Sequence, residues 1–266
     1  MAVSNHFLNF FALPLLMLFS SLLPATLADD KAQSNPLPAD QQLQLFLLIG
    51  QSNMVGRGVV EAEDLQTHPR IWSLDKELNW IPAKDPLHFD KPKSDGVGPG
   101  LTFAKTIAQA DPKSFVGLIP CAVGGTSIDE WKKGDKLYNA AILRAKAAIK
   151  HGKIKGILWH QGEADSDPDA VKAYPAKLTQ LLADFRADLD CPDAPVVVGE
   201  LGSFRVPSPI PFNKMLANLV KTIPHCGLVS ADGLTDKRDG RHFNSASQRE
   251  FGRRYAAVYL KLVEEQ

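Results

Sequence analysis

Short apolar runs recur along the chain after residue 42, and longer amphipathic stretches separate them. Residues 43–49 (LQLFLLI) are almost continuously hydrophobic and end at Gly50, the pattern of a strand buried on both faces. Residues 115–120 (FVGLIP), 154–159 (IKGILW), 196–199 (VVVG) and 227–231 (GLVSA) repeat it. Between and after these runs, apolar positions at helical spacing predict helices over 101–110, 137–150, 170–189, 211–222 and 245–264. Strand–helix alternation predicts a parallel sheet covered by helices. Such sheets carry their working residues on loops at the strand carboxyl ends. Residues 59–98 are polar and loop-rich, with no apolar lid.

The N-terminal segment stands apart. Residues 1–28 contain no Lys, Arg, Asp or Glu, residues 7–23 are almost wholly apolar, and the small residues of 25–28 precede Asp29 and Asp30. This reads as a secretory signal removed after Ala28, with an uncleaved anchor or a buried core helix as the competing readings. Residues 29–42 (DDKAQSNPLPADQQ) are polar and without periodicity, a linker. The remainder, 43–266, is about the length of a single domain with a real core. The mature protein is expected to be secreted or periplasmic and not membrane-bound.

Charge narrows the partners. Lys plus Arg and Asp plus Glu each number 30, for a formal net charge of zero, and no basic block stands out. Nucleic acid is therefore not an expected partner, because phosphate neutralisation needs clustered cations. Cys121, Cys191 and Cys226 match no zinc or redox spacing. Cys191 and Cys226 pair or remain buried thiols; spacing does not decide. The P-loop, dinucleotide, H-E-x-x-H, EF-hand and G-x-S-x-G patterns are all absent, and neither metal nor cofactor is expected.

Polar clusters follow three of the strands. Gly50-Gln51-Ser52-Asn53-Met54 comes after the first, Cys121-Ala122-Val123-Gly124-Gly125-Thr126-Ser127 after the second, and His160-Gln161-Gly162-Glu163 after the third. Asp239-Gly240-Arg241-His242-Phe243-Asn244 precedes the last helix. A serine after a strand is often a helix N-cap, and DKRDGRH alone reads as a solvated loop. Together they have another meaning. Asp239 and His242, three apart, can place a carboxylate on one imidazole nitrogen while the other faces a hydroxyl. A serine needs such a base to become a nucleophile. Gly124 and Gly125 offer unobstructed backbone amides, Gln161 a carboxamide and Ser52 its own amide to a developing oxyanion. Glu163 is a second carboxylate that could orient His242 from another loop. Trp80 and Trp131 are candidates to stack on sugar rings, or else core and edge aromatics.

GQSNM, GGTSIDEW, WHQGE and DGRHF, in this order, resemble the SGNH-hydrolase superfamily. They are most similar to its sialate O-acetylesterase-like branch, which includes the carbohydrate esterase family 6 acetyl xylan esterases. The resemblance spans about 43–262. It implies a three-layer α/β/α sandwich on a five-stranded parallel sheet, and cofactor-free removal of O-acetyl groups from carbohydrates. Ser52 would be the nucleophile, His242 the base, and Gly125 and Gln161 the oxyanion donors, with Asp239 favoured over Glu163 as third acid. A non-catalytic glycan-binding protein or a lipase or thioesterase on the same fold are the alternatives.

Overall fold

In chain order the strands are β1 (Leu43–Gly50), β2 (Ile71–Leu74), β3 (Trp80–Pro82), β4 (Phe115–Pro120), β5 (Gly152–His160), β6 (Val196–Gly199) and β7 (Cys226–Val229). The computed structural model describes residues 1–4, 37, 41–205 and 208–266. Residues 5–28 of the expected signal segment and most of the linker lie outside the described residues. All the described elements fall within Ser34–Gln266, which forms one compact unit.

The strands lie side by side in the order β3-β2-β4-β1-β5-β6-β7. Every neighbouring pair is parallel except β2–β3. The sheet therefore has seven strands, not five. The two missed strands, β2 and β3, form a short antiparallel hairpin at one edge, inside the segment read as loop. Four and three residues are too short to show a period, and Pro82 is a residue that strands tolerate only at an edge.

Alternation along β1 explains its unbroken hydrophobicity. Leu43, Leu45, Leu47 and Ile49 enter one core, whereas Phe46 and Leu48 enter the other, as the two-residue period of a strand requires. The first core is closed by α3 (Lys136–Ile149), α4 (Pro168–Asp188) and α5 (Ile210–Leu219), through Tyr138, Tyr174, Phe185 and Phe212. The second is closed by α2 (Pro99–Ala110) and α6 (Ser245–Glu264), through Phe103, Phe251 and Tyr255. The result is the expected helix–sheet–helix sandwich. Each large side chain buried in this way stabilises the fold by about 1.5–3 kcal/mol. The five expected helices are these five, with ends shifted by up to a turn.

The central strand decides where loops converge. β1 lies between β4 and β5, so the loops leaving the three carboxyl ends meet where the strand order reverses, the usual place for a site in such a sheet.

Candidate active site

Gly50 closes β1 at φ 128°, and a Cβ there would lie 2.1 Å from the carbonyl oxygen of His160. The same oxygen accepts the Gln51 N–H at 2.8 Å. Only glycine allows the ends of β1 and β5 to approach so closely. The chain then turns into a four-residue helix, α1 (Ser52–Val55), for which Gln51, not Ser52, occupies the N-cap position. Ser52 is thus not the cap that its position after a strand suggested.

Its hydroxyl lies 3.1 Å from Nε2 of His242, on the loop between β7 and α6. Nδ1 of the same imidazole lies 2.7 Å from Oδ2 of Asp239. A carboxylate only accepts, so Nδ1 carries the proton and Nε2 is left to accept from Ser52. Oδ1 of Asp239 accepts the backbone N–H groups of Arg241 (2.9 Å) and His242 (2.8 Å), which fixes the carboxylate on the ring. Partial burial of Asp239 opposes ionisation. The hydrogen bonds from the His242 side chain and from the two amides outweigh it and hold the carboxyl at about 2.

The Gly124–Gly125 loop is braced from below. Gly124 donates its N–H to Asp90 Oδ2 at 2.6 Å, and Lys91 Nζ donates to the Gly124 carbonyl at 2.9 Å. Arg57, itself buried, donates to Asp95 at 2.9 Å and stands 3.4 Å from Asp90. A Cβ on Gly124 would meet the Arg57 guanidinium at 2.5 Å. Burial and the neighbouring Asp90 push Asp95 up to about 6. For Asp90, burial is opposed and overcome by hydrogen bonds from Asp95 and the Gly124 amide and by the Arg57 charge, which hold it below the usual range. Asp90 therefore ionises before Asp95, whose two oxygens accept from Arg57 and from the Lys91 amide. Gly125, at φ 86°, borders the cleft with its backbone exposed to it.

Gln161 is placed differently from the expected donor. It is fully buried, and its Nε2 points at Gln51 Oε1 (3.2 Å), the Thr126 carbonyl (3.0 Å) and Asp165 Oδ2 (2.5 Å). Its Oε1 accepts from the Tyr174 hydroxyl at 2.9 Å. Three internal acceptors draw the nitrogen away from the cleft, so the carboxamide ties the loops after β1, β4 and β5 together. Burial raises the Asp165 carboxyl beside it. Glu163 does not reach His242. Its Oε1 accepts from Asn53 Nδ2 at 2.6 Å and lies 3.9 Å from His160 Nδ1.

Above Ser52 opens a cleft of about 720 Å³. Lys91, Arg205, Lys237 and Arg241 line it, together with the already engaged Glu163 and Asp239. Among the described residues, Ala164 is its only wall residue with a purely aliphatic side chain. Neither tryptophan borders it: Trp131 is fully buried in the core, and Trp80 is half-buried on the edge strand. Cys191 and Cys226 are free thiols, and burial pushes them up to about 11 and about 12. Among the described residues, no His/Cys/Asp/Glu group is disposed to hold a metal ion, and no helix is long and apolar enough to cross a membrane. Asn53, Asp90, Lys91, Arg205 and Arg241 carried no sequence signal of their own, although Asn53 and Arg241 stood inside motifs.

Known proteins share this architecture. The family described as carbohydrate esterase, sialic acid-specific acetylesterase matches residues 42–261. A probable carbohydrate esterase of Arabidopsis thaliana is 32% identical, over 88% of this chain and 96% of its own length. Its crystal structure superposes with a TM-score of 0.77, covering 83% of this chain and 98% of that one at 31% identity. NanS shares the fold at 20% identity, with a TM-score of 0.74 over 86% of this chain and 100% of its own. A carbohydrate acetylesterase from Xanthomonas citri also shares it, with a TM-score of 0.64 at 16% identity, over 84% of this chain and 57% of its own.

Proposed function

The chain belongs to the sialic acid-specific acetylesterase family of carbohydrate esterases, and from that membership we propose that it deacetylates an acidic sugar through an acetyl-serine intermediate at Ser52. The observation that carries this reading is the continuous chain Ser52 Oγ, His242 Nε2, His242 Nδ1 and Asp239 Oδ2, with links of 3.1 and 2.7 Å. His242 takes the Ser52 proton as Oγ attacks the acetyl carbonyl. The oxyanion is met by the Ser52 and Gly125 amides, fixed in place before reaction, which is where such donors act most strongly. His242 then returns the proton to the departing sugar oxygen. A water molecule, activated by the same imidazole, releases acetate. Asp239 stays ionised throughout and stabilises the imidazolium. Gln161 and Glu163 hold the loops that carry these groups.

The walls of the cleft bear on the substrate. Lys91, Arg205, Lys237 and Arg241 line the cleft beside the two carboxylates, which are engaged by Asn53 and His242, and Lys237 Nζ stands 3.8 Å from Asp239 Oδ2. Cations so placed suit a sugar with a carboxylate of its own, which favours a sialate-type substrate over unsubstituted acetyl xylan. Among the described residues, the wall offers long acyl chains little more than Ala164 to pack against. The apolar run of residues 7–23 supports export. Acetate release from O-acetylated sialic acid and from acetylated xylan, each measured with and without Ser52→Ala, tests the proposal. Faster turnover of the sialate, steeper loss of that rate with added salt, and no release by the variant are expected. Preference for octanoyl esters, or equal turnover by Ser52→Ala, would refute it.

A further inference from the structure

Asn53, next to the nucleophile, is almost fully buried and makes no contact with the cleft. Its Nδ2 donates to Glu163 Oε1 (2.6 Å) and to the Arg241 carbonyl (3.1 Å), and its Oδ1 accepts the Phe243 N–H (3.2 Å). The orientation of this carboxamide is forced. Turned over, it would set its oxygen against two acceptors and its nitrogen against a donor. The two backbone groups it grips lie immediately before and after His242. One side chain thus ties the nucleophile turn to the base from both sides, across a separation of nearly the whole domain. The remainder of that loop is exposed at residues 239–241, and Asp239 braces it only from within.

Glu163 completes the clamp. Its side chain is buried, Oε1 carries the Asn53 bond, and Oε2 has no hydrogen-bond partner. On the other side stands His160, whose Nε2 lies 3.0 Å from the Glu200 carbonyl and must donate to it, leaving Nδ1 toward Glu163. Nothing in this group hydrogen-bonds to Ser52 Oγ or to the His242 ring. It acts on the backbone that sets their separation.

We infer that Asn53, held by Glu163, is a positioning residue that sets the distance between His242 and Ser52, and that Glu163 serves the reaction through Asn53 and not as the acid on the imidazole. The inference rests on the Ser52–His242 reading above. The observed 3.1 Å lies near the outer limit of about 3.2 Å for proton transfer. A displacement of about 1 Å costs roughly 10²-fold in rate.

The test compares the full-length wild type with Asn53→Asp, Glu163→Gln, Glu163→Ala, the double variant Asn53→Asp/Glu163→Gln and Ser52→Ala. For each, kcat and KM for 4-nitrophenyl acetate are measured from pH 5 to 9, with thermal unfolding. Asn53→Asp sets a carboxylate against a carboxylate, and kcat should fall on the order of 10²-fold with KM within about twofold. The loss should deepen as pH rises and shrink at acid pH, where one shared proton restores a donor. Adding Glu163→Gln supplies that donor from the other side and should recover roughly tenfold of the loss. Glu163→Gln alone keeps an oxygen to accept from Asn53 and should stay within about tenfold of wild type, whereas Glu163→Ala should not. Should Asn53→Asp fail to fold, the contrast between the two Glu163 variants decides. Asn53→Asp near wild-type kcat, no recovery in the double variant, or Glu163→Gln as damaging as Glu163→Ala would overturn the inference while inactive Ser52→Ala left the nucleophile standing. Active Ser52→Ala would overturn the nucleophile reading itself.

Discussion

Gly50→Ala isolates how the site is assembled. Two separate strains meet at this position. At φ 128° an L-residue is held far from its preferred conformations, at a cost of about 1–3 kcal/mol. The added methyl would also lie 2.1 Å from the carbonyl oxygen of His160, 2.7 Å from its carbon and 2.9 Å from its nitrogen. All three are backbone atoms, and the oxygen is already engaged by the Gln51 N–H, so no side chain can swing aside. Forcing the strand ends apart adds about 1–3 kcal/mol. Taken together, about 4 kcal/mol is expected, a large fraction of the roughly 5–15 kcal/mol that holds a domain folded. For a domain of this size that lowers Tm by about 8–16 °C. Ser52 is two residues further on, so kcat of the folded fraction should fall as well. Gly134→Ala is the control, because Gly134 has φ 93° but nothing within 4 Å of its Cβ direction. It should show the conformational cost alone. Equal Tm losses for the two variants, with unchanged kcat in Gly50→Ala, would refute the close approach of β1 and β5 as the device that places the nucleophile.

Asp239→Asn should lower kcat on the order of 10³–10⁴-fold, since an amide on Nδ1 can stabilise the wrong tautomer and no longer offsets the imidazolium. Because the Asp239 carboxyl is held at about 2, it stays charged as pH falls until well below the usual carboxylate range. A pH–rate profile of the wild type should therefore show no acid limb from Asp239 above about pH 3, and one that titrates there and vanishes in Asp239→Asn would contradict the geometry. Gln161→Ala should lower both kcat and stability, the latter by about 1–3 kcal/mol, because Tyr174 and Asp165 each lose one of their buried partners. A loss of kcat at unchanged Tm would return Gln161 to the role of oxyanion donor.

The parts of this molecule that were legible in the chain are those in which local pattern and tertiary position agree. The runs that became β1, β4, β6 and the second half of β5 are buried on both faces, so their hydrophobicity is continuous, while β7, at the sheet edge, is only partly buried; the helices between them keep one apolar face toward the sheet. The β2–β3 hairpin escaped because so few residues carry it and polar chain surrounds them. Ser52, Asp239 and His242 were legible because a serine after a core strand and a carboxylate three residues before a histidine are local features. The direction of the Gln161 carboxamide is not local. It is decided by Thr126 and Gln51, which the fold brings from two other loops, together with Asp165 on its own loop. The same holds for Asn53 and Glu163, whose partners stand more than a hundred residues away, and for Arg205, which only the cleft reveals as a wall residue.

Formation of the proposed covalent acetyl group on Ser52 can be measured directly. The protein is mixed with excess 4-nitrophenyl acetate and quenched in acid within milliseconds, and its intact mass and peptide masses are read. One acetyl per chain is expected on the peptide containing Ser52, formed at least as fast as turnover. Ser52→Ala should carry none, and His242→Ala should acquire it on the order of 10³-fold more slowly. Acetyl found on another residue at the rate of turnover, or acetate released at the wild-type rate by Ser52→Ala, would contradict the proposal.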